Sequence, residues 1–184
     1  GVYFEDKAYG RAEPLFRKAL LIFEKAYGLE HLSVASSLNN LAVVNRAMGR
    51  FPAAKPLYEK ALAIQEKVLG TDHIEVGTTL NDLAGMYESQ QRFNDAEPLY
   101  RRSLEIAEKN FGPYHPHVAS SLNNLAAVLT GLGNYSEAEE ILLRALKIME
   151  NNYGADHPVS AVGLENLADF YEGTGRTEEA RSVR

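Results

Sequence analysis

The chain repeats itself every 42 residues. Gly28, Gly70, Gly112 and Gly154 stand at that spacing, and so do His31, His73, His115 and His157. Leu38, Leu80, Leu122 and Leu164 follow, then Ala42, Ala84, Ala126 and Ala168. A column of Ala12, Ala54, Ala96, Ala138 and Ala180 and an aromatic column of Tyr9, Phe51, Phe93 and Tyr135 complete the pattern without an insertion. A period of this length marks a stack of small units, each unable to bury its apolar face alone.

Each unit reads as two helices. In the first, about residues 31–48, Ala35, Leu38, Leu41 and Ala42 fall on one side at 100° per residue, and Ser36, Asn40, Val43 and Ala47 on the other. The second, about residues 52–69, carries Ala54, Leu57, Tyr58, Ala61, Leu62 and Ile64 at similar spacing. Gly70 and its counterparts suit the positive φ that ends a helix, and Pro116 and Pro158 suit a first helical turn. Gly49, Gly133 and Gly175 mark the turn inside each pair, with Gln91 in the remaining copy. Pro14, Pro56 and Pro98 lie several residues inside the second helix, where proline normally removes a hydrogen bond. The alanine columns allow close helix approach, near the short end of ~8–10 Å. The expected architecture is all-α, an alpha-alpha superhelix of antiparallel pairs, concave along the first helices and convex along the second.

The register divides the chain into 1–28, the end of a first helix plus a second helix; complete pairs at 29–70, 71–112 and 113–154; and 155–184, a first helix plus the start of a second. In this register Lys7 takes the place of Gly49, so residues 1–7 read as a first-helix tail and residues 177–184 as a second-helix stub. An excised piece of a longer array is the expectation.

Composition removes several functions. The absence of cysteine excludes disulfides, thiolate zinc sites and cysteine nucleophiles. No apolar run exceeds the five residues of Ala19 to Phe23, far short of the ~20 that cross a bilayer, so no membrane insertion is expected. A net charge of −6 without a basic stripe argues against nucleic acid. The four periodic histidines sit in successive turns at least a helix-packing distance of ~8–10 Å apart, too far to share a metal, and read as packing or capping residues at the helix start. No phosphate loop, HExxH or G-x-S-x-G appears, and no nucleophile, base and oxyanion donor gather, so neither an enzyme nor a cofactor is expected. The expected location is cytoplasmic.

Leu80, Leu83, Ala84 and Tyr87, followed by Ala96, Tyr100 and Ser103, resemble the tetratricopeptide repeat. The 42-residue form, with EKNFGPYHPHVASSLNNLA from Glu108 to Ala126, is similar to the kinesin light chain repeats. The resemblance implies a tetratricopeptide solenoid, a scaffold or adaptor holding an extended peptide of a protein partner along its concave groove. Carried onto this chain, the groove positions are Ser36, Asn39, Asn40, Val43 and Arg46; Asn81, Asp82 and Glu88; Ser120, Asn123, Asn124 and Thr130; and Glu165, Asn166 and Asp169.

The residues add two points of their own. Asparagine is a poor mid-helix residue, yet amides recur there in every copy. Such amides either bond to neighbouring repeats or offer a donor and an acceptor to a peptide backbone, and for the ladder as a set peptide contact is the favoured reading. The first helices carry one cation, Arg46, against Glu75, Asp82, Glu88, Glu165, Asp169 and Glu172. A preference for polar or basic peptides follows, with the acidic pole toward the C-terminal end. The alternative function is a structural assembly element that self-associates end to end through exposed terminal half-repeats.

Overall fold

The computed structural model describes residues 2–183, with side chains from residue 9 onward. Gly1 and Arg184, assigned above to the first-helix tail and the second-helix stub, lie outside the described residues. The described residues form helices and turns without strands: α1 Val2–Tyr27, α2 Leu32–Ala47, α3 Phe51–Leu69, α4 Ile74–Glu88, α5 Phe93–Phe111, α6 Pro116–Gly131, α7 Tyr135–Tyr153, α8 Pro158–Gly173 and α9 Thr177–Ser182. They group into two compact units, Gly1–Met86 and Tyr87–Arg184.

The local signals explain the helix ends. Each periodic histidine starts a first helix, and its Nδ1 accepts the backbone N–H two residues on. Ser33, His117 and Val159 donate at 3.2 Å and Glu75 at 3.3 Å. One otherwise unpaired donor of the first turn is thereby satisfied. The capping imidazoles of His31, His115 and His157 also stack on Tyr27, Phe111 and Tyr153, at centroid distances of 4.4, 4.8 and 5.2 Å. Packing and capping are therefore one arrangement.

Gly70 closes α3 at φ 89° and ψ 160°. This is not the left-handed helical cap of the usual glycine stop but the extended positive-φ region open almost only to glycine. At the inner turn Gln91 adopts φ 57°, the sole positive φ of a non-glycine residue among those described. The three internal prolines are tolerated inside α1, α3 and α5. In each case the residue four positions earlier, Gly10, Pro52 or Asn94, is exposed, so the carbonyl that loses its donor can meet solvent.

The N-terminal expectation is corrected. α1 runs unbroken through Lys7, where the register placed a turn. Lys7 shares its column with Gln91, which holds a turn at φ 57°, so the absence of glycine does not by itself set this difference.

In the first unit α2 packs against α1 and α3. Val34, Ala35, Leu38, Ala61 and Ile64 form its core, flanked by Leu20, Phe23 and Leu57. In the second unit α6 lies against α5 and α7, around Val118, Ala119, Leu122, Ala145 and Ile148. Ala42, Ala54 and Ala138 are fully buried, as close helix approach requires. Successive second helices are tied by ion pairs at their outer edges. Arg50 meets Glu13 at 2.9 Å and Lys60 meets Glu24 at 3.6 Å in the first unit; Arg101 meets Glu137 at 2.9 Å and Arg176 meets Glu139 at 2.6 Å in the second.

Candidate functional site

The first helices of the second unit line an open cleft of about 500 Å³. α6 supplies Asn123, Asn124, Ala127 and Thr130. α8 supplies Asn166, Asp169 and Phe170, and Leu142 of α7 closes the floor. Side chains three and four apart share a helix face, which is why Asn123, Ala127 and Thr130 line up on α6, and Asn166, Asp169 and Phe170 on α8. The walls are apolar and the rim carries amides and a carboxylate, the usual constitution of a binding cleft.

Two amides in the same repeat column share a defect. Asn39 and Asn123 each bury an Oδ1 that accepts no hydrogen bond. An orphaned acceptor costs about 1–3 kcal/mol. Turning the Asn123 carboxamide into the cleft would expose that oxygen to a donor from outside.

In the first unit the amides are more constrained. Asn39 donates through Nδ2 to Oδ2 of Asp82 at 3.1 Å, so this amide bonds a neighbouring repeat. Ser36, Asn39 and Asn40 line a smaller hollow of about 200 Å³ with Gln65, Glu75 and Thr78. Val43, Arg46 and Asn81 are half-buried on the same helices but do not line that hollow.

The remaining expected positions are dispersed. Glu88 accepts a hydrogen bond of 2.6 Å from the Tyr100 hydroxyl, an internal role at the α4–α5 junction. Ser120 borders a separate hollow with His115, His117 and Tyr153, and its Oγ donates to the Pro116 carbonyl at 3.5 Å. Thr130 reaches the cleft, yet its hydroxyl donates to the Ala126 carbonyl at 2.8 Å. Glu165 is exposed on α8 next to the cleft residue Asn166.

Several contributors were not legible as site residues. Leu142 belongs to the column of Tyr58 and Tyr100, and its departure from tyrosine was the available signal. Phe170 belongs to a buried apolar column with Val44, Met86 and Val128. The buried pair Thr79 and Gln65, with the threonine donating at 2.7 Å, and the Asn45 amide donating to the Leu41 carbonyl at 2.7 Å were likewise unforeseen. Small and amide side chains look surface-like until a neighbouring helix covers them.

Electrostatics divide the site from the outer edge. α6 and α8 bear no lysine or arginine, whereas α8 presents Glu165, Asp169 and Glu172 to solvent. At the outer edge the Arg176 guanidinium holds the Glu139 carboxyl below the usual carboxylate range, and Tyr171 also donates to it, at 2.8 Å. Arg17, then Arg50, do the same for Glu13. Burial pushes the phenol of Tyr58 far above its ordinary value. Among the described residues no three His, Cys, Asp or Glu side chains gather as a metal site requires. No helix among them is long and apolar enough to cross a membrane.

Comparison with known proteins supplies the kinship. The tetratricopeptide repeat model matches residues 1–67, 34–109, 75–151 and 117–183. The crystal structure of a kinesin light chain-like protein of nearly identical TPR-like repeats from Podosopora anserina is 26% identical, with a TM-score of 0.84, covering 99% of this chain and 87% of that one. The crystal structure of BtubC (BKLC) from P. vanneervenii is 25% identical, with a TM-score of 0.83, covering 96% of this chain and 70% of that one. The apo form of RapI shares the fold at 18% identity and a TM-score of 0.77, covering 96% of this chain and 47% of that one. No curated protein sequence matches. Helix pairs in tandem at a fixed period, matched from end to end by one repeat model, lead to one conclusion: the chain belongs to the tetratricopeptide repeat family.

Proposed function

We propose that this chain is a scaffold or adaptor module that binds an extended peptide segment of a protein partner on the faces of its first helices, foremost at the α6–α7–α8 cleft. Tetratricopeptide repeats generally mediate protein–protein interaction, and such proteins are generally non-enzymatic. The observation that carries the reading is the cleft itself. Apolar walls at Leu142 and Phe170 can take a side chain, while Asn123, Asn124 and Asn166 surround it with groups that match a backbone of any sequence. The proposed site comprises these three amides with Ala127 and Asp169, and in the first unit Asn40, Ser36 and Thr78. A cytoplasmic partner fits a chain without cysteine.

The test is a photo-crosslinking residue placed at Ala127, compared with one at exposed Glu140 on α7. Proteins captured from the source cell are then identified by mass spectrometry. Capture at Ala127 that is lost in Leu142→Tyr, with an unchanged thermal midpoint, supports the cleft. Capture at Glu140 alone moves binding to the second helices and overturns it.

A second reading, end-to-end self-association, draws on α1. Ile22 is 54% exposed although Ile64, Ile106 and Ile148 of the same column are at most 6% exposed, and Leu15 beside it is 68% exposed. A sedimentation coefficient that climbs with concentration, and falls back in Leu15→Lys/Ile22→Lys, would favour that reading.

A further inference from the structure

We infer that the hollow between α2 and α4 in the first unit binds the primary ammonium of a lysine side chain. The inference rests on the peptide-binding reading above for the segment that carries the lysine, and gives that segment a second anchor. Two independent features converge.

The first is an acceptor without a donor. Ser36, Asn39 and Asn40 line the hollow from α2, Glu75, Thr78 and Thr79 line it from α4, and Gln65 of α3 completes it. The Asp82 carboxylate only accepts, so its 3.1 Å bond fixes the Asn39 carboxamide with Nδ2 turned toward it. Oδ1 is then the atom left buried without a partner. Two hydroxyl protons at the hollow are used within the protein. Thr78 donates to the Ile74 carbonyl at 3.1 Å and Thr79 to Oε1 of Gln65 at 2.7 Å. These three groups still offer lone pairs, and a buried acceptor calls for a donor.

The second is charge. Glu75 is exposed at the hollow, and its carboxylate has no ion pair or hydrogen bond among the described residues; only its backbone N–H is engaged, by Nδ1 of His73. The cations of the neighbouring helices stand elsewhere. Lys67, two residues beyond Gln65, is held by Glu30 at 2.6 Å. Arg46 lies thirteen residues beyond Ser33, the α2 counterpart of Glu75. That is about 20 Å along the helix, twice the screening length of about 10 Å at 0.1 M salt. A cation with several N–H donors answers both features at once. A lysine ammonium carries three, on a slim stem that suits a hollow of about 200 Å³. A guanidinium fork needs acceptors in one plane, whereas these come from separate helices.

The acceptor set is particular to this copy. At the corresponding positions of α7 and α8, Met149, Val159, Val162 and Gly163 replace Gln65, Glu75, Thr78 and Thr79.

The experiment titrates the intact chain, labelled with nitrogen-15, at low salt with three blocked amino acids. They are the N-acetyl methylamides of lysine, of ε-acetyl-lysine and of arginine. The readout is the side-chain amide signals of Asn39 and Asn40. Blocked lysine is expected to bind about tenfold tighter than its ε-acetyl form, a gap that narrows as salt rises. Blocked arginine should bind about threefold more weakly than lysine. Glu75→Gln should weaken lysine binding by about tenfold, while Glu59→Gln, an equal loss of charge on α3, should leave it within about twofold. Both glutamates are exposed, and a thermal midpoint close to that of the parent chain shows that each variant is folded. Equal binding of lysine and ε-acetyl-lysine, or shifts confined to signals away from Asn39 and Asn40, would overturn the site. Arginine binding as tightly as lysine would overturn the choice of an ammonium. Capture at Ala127 reads the peptide proposal separately: its loss with lysine binding intact would keep the hollow and remove the peptide as carrier.

Discussion

Nine positions that surround the cleft in the second unit have counterparts 84 residues earlier in the first, and the two sets differ in ways that open one and fill the other. Asn123, Asn124 and Ala126 correspond to the identical residues Asn39, Asn40 and Ala42. Ala127 and Thr130, however, correspond to the larger Val43 and Arg46, and Leu142 corresponds to Tyr58. The tyrosine ring is fully buried. Asn166 corresponds to Asp82, which accepts the hydrogen bond from Asn39 and joins the two first helices. The frame is shared and a few side chains decide whether it is a core or a cleft. A repeat protein can thus vary a few side chains without altering its fold, because each unit contacts only its neighbours and the shared columns keep the frame.

Changes that exchange these side chains test the comparison directly. Tyr58→Leu, which gives the first unit the residue of the second, should cost about 2–4 kcal/mol in urea denaturation, since a fully buried ring leaves a cavity. The reverse change, Leu142→Tyr, should stay within about 1.5 kcal/mol of the parent, because it fills space that is already open. Equal costs for the two would show that the cleft and its counterpart do not differ as described.

Both units should respond alike where the frame is common. Gly70→Ala and Gly154→Ala, at φ 89° and 97°, should each cost about 1–3 kcal/mol by the same denaturation measurement. A difference much larger than that spread would mean that the loops are not equivalent.

Asp82→Asn converts the first unit's rim to that of the second. Losing a charge-assisted bond to Asn39 should cost about 1 kcal/mol, read as a fall in the denaturation midpoint. A gain in stability would show that the carboxylate is retained there for some other reason.

The smallest effect concerns acid. Glu13 and Glu139 occupy one column, each with an arginine partner from the next inner turn, Arg50 or Arg176. Both carboxyls are held below their ordinary range, chiefly by Arg17 in one case and Arg176 in the other. Folded carboxyls lowered in this way contribute stability that is complete above the unfolded-state value and drains away as pH falls through the folded one. Glu13→Gln and Glu139→Gln should each flatten the loss of stability between neutral pH and about pH 3, by no more than about 1 kcal/mol for pairs this near the surface. An unaltered slope in either variant would remove that pair from the balance.

Much of the fold was legible because its causes are local. The 42-residue columns, the alanine contacts, the histidine starts and Gly70 each act within a turn or between adjacent helices, so a one-dimensional pattern contains them. The site was less legible. Asn123, Asn124, Asn166 and Asp169, expected as groove positions, share the cleft, but Leu142 and Phe170, its walls, read as ordinary core positions. Glu88 and Asn39, also expected at the groove, each make a hydrogen bond within the protein, and Asn39 still lines the first unit's hollow.

By itself the sequence determined the repeat, the helix pairs and their punctuation, since periodic burial and backbone φ requirements are properties of residues close along the chain. Only the tertiary structure decided that Ile22 is exposed where Ile148 is buried, that the Asn39 amide bonds Asp82, and that a leucine in a tyrosine column borders an open cleft. Those outcomes depend on which side chain arrives from the neighbouring helix, and identical residues meet different neighbours in different copies.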